Sequence, residues 1–311
     1  MKLPICLLTS FTFISSQIIP FNEHVVSAAE QKPVAFHVAK QSYHLHKSKR
    51  KMGMWKVVRK VKLNRTDLES TSSSNLTSEV NNSLSGEEKL STMFEDKSNF
   101  LKKILSYEQQ FSMNSYGGDT YLTRPVEYKK GSIPILISAP HATEHIRDGK
   151  VKSADIYTGS LALLLGELTN THVVYSSRIA DDPNYIKGGI YKDTLNKIVS
   201  ENNIQYIIDL HGAASERTFD IDLGTINGKS MDSETVDKFT AAFKANNITD
   251  ITVNGTFAAE TEGTITNYSY NVLHKNSVQI EINKEYRNPR NDIDSYYSVL
   301  NSLVNIVNEL Q

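Results

Sequence analysis

Ile133-Pro-Ile-Leu-Ile-Ser-Ala-Pro-His-Ala-Thr-Glu-His145 is the stretch on which the fold reading turns. It opens as an apolar run of strand length, stops at Ala139-Pro140, and then places His141, Glu144 and His145 close together. A buried strand that ends in a polar cluster is how an open α/β sheet presents a site, because ligands bind beyond the carboxyl ends of its strands. His141 and Glu144 are three residues apart. That spacing allows a ring nitrogen and a carboxylate oxygen to reach one ion, and two His with one Glu is a known catalytic zinc set with an open fourth position. The other His must come from elsewhere in the chain. Glu144 and His145 compete for the place beside His141; Glu144 is the expected ligand, because His145 directly follows it and would point away.

Two later stretches repeat the pattern. Tyr206-Ile-Ile-Asp-Leu-His-Gly212 is an apolar strand ending in Asp209, His211 and a glycine. Side chains two apart on a strand share a face, so Asp209 and His211 point the same way. His211 is then the expected second metal histidine, with Asp209 the carboxylate that orients it. Ser277-Val-Gln-Ile-Glu-Ile-Asn283 puts Gln279, Glu281 and Asn283 on one face. Ile280 and Ile282 flank Glu281 and belong on the opposite, buried face. A carboxylate there is costly unless it is paired or functional; Glu281 reads as a general base.

From about 117 onward, strand-like and helix-like stretches alternate. Strands are expected at 133–139, 172–176, 206–210, 251–253 and 278–282, and helices at 155–169, 191–201, 232–246 and 292–310. This order predicts a three-layer α/β/α domain with a mainly parallel mixed sheet.

The amino-terminal third reads differently. Lys2 and the apolar run to Phe21, closed by small residues at 26–29, predict a signal peptide over 1–29 and a secreted or extracellular protein, with wall association an option. The only cysteine, Cys6, lies inside that segment. Residues 30–66 form a basic segment, read as a pro-region or a small β element. Its densest part, 47–62, would contact an anionic wall or membrane surface. Residues 67–116 are expected to be a linker, rich in Ser, Asn and Thr, that ends in a short helix over Phe100 to Phe111. The domain itself is then 117–311. The formal net charge of −1 gives no reason to invoke nucleic acid.

Ser138-Ala-Pro-His-Ala142, Asp209-Leu-His-Gly212 and Gln279-Ile-Glu-Ile-Asn283, in this order, resemble the N-formylglutamate amidohydrolase family, which is similar in fold to zinc carboxypeptidases and aspartoacylases. The resemblance covers about 118–311. It implies a zinc-dependent hydrolase acting on an amide of an acidic amino acid, with His141 and His211 on the metal and Glu281 catalytic. Glu144 is carried over from the His-x-x-Glu pattern of the carboxypeptidases. The Pro-His-Ala-Thr-Glu-His form departs from the Pro-His-Gly-Gly common in the formylglutamate enzymes.

The expected partner is a small acidic or peptide-like substrate. A carboxylate clamp needs a guanidinium, and of Arg147, Arg178, Arg217 and Arg287 the expectation falls on Arg178 and Arg287. The expected activity is amide hydrolysis on an N-acylated acidic amino acid or glutamyl-type substrate. The alternatives are a secreted metallocarboxypeptidase, a cell-wall peptide hydrolase, and a non-catalytic wall-binding protein on a degenerate hydrolase scaffold.

Overall fold

The computed structural model describes residues 84–311. The expectations for a signal peptide, the basic segment 47–62 and the start of the linker lie outside the described residues.

Four parallel strands form the middle of the main sheet: β2 (Ile135–Ala139), β5 (His172–Ser176), β7 (Tyr206–Ala213) and β10 (Asn276–Asn283). The full order is β1-β5-β2-β7-β10-β8-β9. Here β1 (Val126–Lys129) closes one edge antiparallel to β5, and β8 (Ile221–Gly224) runs antiparallel to β10 with β9 (Ile251–Val253) beside it. Every residue of β2 and β5 is buried. This is the double-sided burial that makes parallel strands read as continuous apolar runs.

Side-chain alternation divides the sheet into two unequal faces. Ile135, Ile137, Ile208, Leu210, Val278, Ile280 and Ile282 face one way. They pack under α1 (Gly86–Phe94), α2 (Lys97–Tyr116), α3 (Thr158–Thr169), α5 (Ser233–Ala245) and α8 (Ile293–Glu309). Leu136, Val174 and Ile207 face the other way, beneath α4 (Ile190–Glu201) and α6 (Ile265–Asn271). The layers are therefore α/β/α, as expected, with the smaller cover on the second face. Asp209, His211, Gln279 and Glu281 share the parity of Ile207, so they belong to that thinly covered face.

A short helix α7 (Lys284–Arg287) follows β10 directly. A second sheet of order β4-β3-β6 joins β3 (His145–Arg147), β4 (Lys150–Lys152) and β6 (Ala180–Asp181). The turn between β3 and β4 is Asp148-Gly149, both at positive φ (51° and 70°). That is the Asp-Gly type I′ hairpin chemistry, and its register pairs His145 with Lys152.

The boundary expected at 117 lies further toward the amino terminus. Leu90, Phe100, Ile104 and Phe111, on α1 and α2, are buried in the same core as the sheet. Glu108 is buried among them and accepts hydrogen bonds from the Tyr116 hydroxyl and the Tyr157 amide, each at 2.9 Å. The segment from Gly86 is thus part of the domain. Gly159 shows how closely α2 seats on α3. A Cβ there would lie 2.5 Å and 2.6 Å from Phe111 ring atoms and 2.8 Å from the Ala142 Cβ. Gly159→Ala should destabilise the domain by about 1–3 kcal/mol, the usual cost of overpacking. Denaturant melting checks this, and an unchanged midpoint would show that α2 can give way.

Candidate metal centre and its cavity

The site forms where β2, β7 and β10 end. Two rows of side chains cross the strands there. Ser138, Asp209 and Gln279 are register partners in the first, and His211, Glu281 and Asp222 in the second. Ser138 Oγ donates to Asp209 Oδ1 at 2.8 Å. The other Asp209 oxygen lies 3.0 Å from His211 Nε2. Asp209 and His211 are thus joined on one face of β7.

His141 has a matching arrangement. Its Nε2 lies 2.8 Å from Asp182 Oδ1, and Asp182 is fixed by the Arg147 guanidinium at 2.6 Å and 2.7 Å and by the Asn184 amide. With an ion on Nδ1, each ring would carry its proton on Nε2, facing a carboxylate that only accepts. Both Nδ1 atoms lie 3.3 Å from the same oxygen, Asp155 Oδ2. Asp155 is brought back to His141 by its own backbone, its amide donating to the His141 carbonyl at 2.8 Å.

Carboxylates and imidazoles in this group shift one another's titration. Burial lowers the pKa of both imidazoles, yet neighbouring carboxylates outweigh it. His141 is raised by Asp155 and Asp182, and His211 is raised well above its ordinary value by Asp209 and Asp155. Burial raises Asp155, but the two histidines hold it below the ordinary carboxylate range. Burial also raises Asp182, which His141, His145 and Arg147 hold low. Glu281 is the exception. Burial, reinforced by the charges of Asp155 and Asp209 and opposed by those of His211 and His141, pushes it up to about 7. Its Oε1 accepts from Gln279 Nε2 at 2.9 Å.

Two donor groups among the described residues have the closeness a metal needs: His141, Asp155 and His211, and His141, His145 and Asp182. The first has two separations that match the edge of a tetrahedral site. The edge of a tetrahedron is ~1.63 times its radius, so metal bonds of ~2.0–2.1 Å put donors ~3.3–3.4 Å apart. The two imidazole–Asp155 separations of 3.3 Å match that edge. In the second group Asp182 is already bound to Arg147, and its distances to the rings are 2.8 Å and 3.5 Å. His145 stacks on His141, centroids 3.9 Å apart and 10° from parallel. Its pKa is lowered to about 4 by burial and by the charge of His141.

Glu144 enters neither group and does not line the cavity. Its amide donates to the Tyr116 carbonyl at 2.8 Å, docking this part of the loop on the end of α2. The carboxylate of the first group is Asp155.

The cavity in front of Glu281 has a volume of about 840 Å³. Its cations are Arg147, Lys152 and Arg217. Arg178 and Arg287, expected to hold substrate, do not reach it. Arg287 is buried and donates to the backbone carbonyls of Ile282, Ala213 and Ile156, with its guanidinium against Gly212. Arg178 pairs with Gly118 and donates to the Thr123 carbonyl at 3.4 Å. Lys192, also unforeseen, is buried and ties the Asp182 turn together by donating to the carbonyls of Pro183 at 2.8 Å, Gly263 at 2.6 Å and Ile186.

No protein-family model and no curated protein matches the sequence. Solved structures similar to it include an N-formylglutamate amidohydrolase from Ralstonia eutropha JMP134, at 14% identity over 58% of this chain and 96% of that one, TM-score 0.44. A bacteriophage poly-gamma-glutamate hydrolase is similar at 14% identity over 59% and 86% of the two chains, TM-score 0.38. A succinylglutamate desuccinalase from Vibrio parahaemolyticus is similar at 14% identity over 60% and 62%, TM-score 0.40.

Proposed function

We propose that the domain is a zinc-dependent amidohydrolase that cleaves an amide bond of an N-acylated acidic amino acid or glutamyl-type substrate. One observation carries the reading. Two imidazole Nδ1 atoms each lie 3.3 Å from one carboxylate oxygen, and a buried carboxyl, Glu281, lies on the next strand. His141, Asp155 and His211 would hold the ion, and Asp182 and Asp209 would fix the two rings by their Nε2 protons. A bound divalent ion supplies Lewis acidity, polarising a carbonyl and making water more acidic.

The chain's own groups supply the rest. Glu281 takes the proton of the attacking water and returns it to the leaving nitrogen, base first and acid second. Burial favours the neutral form of this carboxyl and a nearby cation its charged form, and both halves of the task need that balance. Gln279 holds one Glu281 oxygen by its amide, leaving the other for the proton. Arg217 and Lys152 line the cavity and form no ion pair among the described residues. They are suited to a substrate anion. The cavity volume, about 840 Å³, exceeds the needs of a single acylated amino acid and favours a longer peptide-like or glutamyl chain.

A substrate panel tests this reading on the full chain loaded with zinc. N-acyl-L-glutamates and γ-linked glutamyl oligomers should be cleaved. They should be preferred over the matching glutamine compounds by roughly 10- to 100-fold, the range of a charge-assisted hydrogen bond. Release only of carboxyl-terminal residues from ordinary peptides would identify a metallocarboxypeptidase instead. Binding without any turnover would favour the wall-binding alternative.

A further inference from the structure

Asp222 stands in the same row as the proposed base, as the register partner of Glu281 on the neighbouring strand. It is fully buried. Its carboxylate accepts three backbone amides from one loop: Gly255 at 3.0 Å, Thr256 at 2.7 Å and Phe257 at 2.9 Å. A buried carboxylate is costly unless hydrogen-bonded, and three converging N–H groups meet that need while fixing the loop to the strand. The loop forms part of the cavity wall.

Phe257 has two ring contacts. Its ring meets Phe219 edge-to-face, centroids 6.1 Å apart and 88° between planes. The Arg217 guanidinium lies 5.1 Å from its centroid, within cation–π range. The backbone of Arg217 is held from the other side. Asn283 Nδ2 donates to the Arg217 carbonyl at 3.2 Å and to that of Phe219 at 3.0 Å. Arg217 is exposed and forms no ion pair among the described residues, so Phe257 is what directs its charge.

We propose that Arg217 sets specificity for an anionic group on the substrate, and that Asp222 and Phe257 are positioning residues that aim it. Asp222 holds the loop, the loop places the Phe257 ring, and the ring places the guanidinium. Because Asp222 is fixed to the strand beside Glu281, the substrate anion is registered against the group that moves the proton. The inference rests on the reading that the cavity takes an acidic substrate.

The test uses γ-linked L-triglutamate as probe, titrated calorimetrically into the full zinc-loaded chain carrying Glu281→Gln so that the probe is not consumed. In that background Arg217→Ala should weaken binding roughly 10- to 100-fold and flatten its salt dependence. Phe257→Leu should weaken it roughly 2- to 5-fold, the size of a cation–π contact at an exposed site, and Phe257→Tyr should restore it. Asp222→Asn should weaken it roughly 3- to 10-fold. With Arg217→Ala already present, Phe257→Leu and Asp222→Asn should have no further effect, which a general structural role would not predict. If both still weaken binding without Arg217, the relay is overturned while the acidic-substrate reading stands. If the probe does not bind, or Arg217→Ala leaves its affinity unchanged, the acidic-substrate reading fails and takes the relay with it. Should Asp222→Asn not fold, the Leu and Tyr variants at Phe257 decide the matter alone.

Discussion

Glu281→Gln should lower turnover by roughly 10²–10⁴-fold, the range for loss of a general acid–base group, while fold and metal content stay unchanged. The amide nearly preserves the size of the carboxyl, so β10 keeps its packing between β7 and β8. Glu281 belongs to neither candidate donor group, so its loss removes no ligand. What disappears is the proton carrier, because an amide oxygen does not take a proton near neutral pH. Burial makes this position worth testing: it raises the carboxyl above its ordinary range, and a bound cation would draw it back. Turnover, thermal melting and elemental analysis of the same preparation separate the outcomes. Loss of metal with the substitution would make Glu281 a ligand, and unchanged turnover would remove it from the chemistry.

The second large effect concerns the two helices ahead of the sheet. A chain beginning at Leu84 should be soluble and melt cooperatively; one beginning at Ser115 should not. The shorter chain lacks Leu90, Phe100, Ile104 and Phe111, each at most 1% exposed. Truncating a single buried side chain of this size to alanine costs about 2–5 kcal/mol. Losing all four, about 8–20 kcal/mol, matches or exceeds the about 5–15 kcal/mol that holds an ordinary domain folded. It also strips Glu108 from the Tyr157 amide at the start of α3. If the chain from Ser115 melts within a few degrees of the longer one, these helices are accessories and the boundary near 117 is right after all.

The central strands were legible because β2, β7 and β10 are buried on both faces, and such strands read as unbroken apolar runs. The period of two then aligned Asp209 with His211 and Gln279 with Glu281 without further information. Asp155 was not legible in the same way. Its nearness to His141 comes from a loop that closes through one backbone hydrogen bond, and no local pattern records that closure. Read alone, it was merely the first residue of a helix. Asp182 was hidden likewise, before Pro183 in an irregular turn held by Lys192. The arginines show a different limit. Sequence reveals a guanidinium but not its direction, and Arg287 turned inward onto three carbonyls while Arg217 faced the cavity.

Two features carried readable signals that went unused. Arg147-Asp148-Gly149-Lys150 holds the turn chemistry of a two-residue hairpin, and that hairpin brings Lys152 and His145 to the cavity. In α2, Phe100, Ile104 and Phe111 form a helical stripe, interrupted by Glu108 at the position where apolar spacing would continue. A carboxylate at that position reads as a solvent-facing one. The Glu108 carboxylate is in fact buried against Tyr116 and Tyr157.

Metal content across four single variants tests the account most directly. Purified full-length protein should carry close to one zinc per chain by elemental analysis. Asp155→Asn and His211→Ala should lose it, because each removes a donor from the tetrahedral set. Glu144→Gln and His145→Ala should retain it. Loss of zinc from Glu144→Gln with retention in Asp155→Asn, or loss from His145→Ala with retention in His211→Ala, would contradict the ligand set of His141, Asp155 and His211.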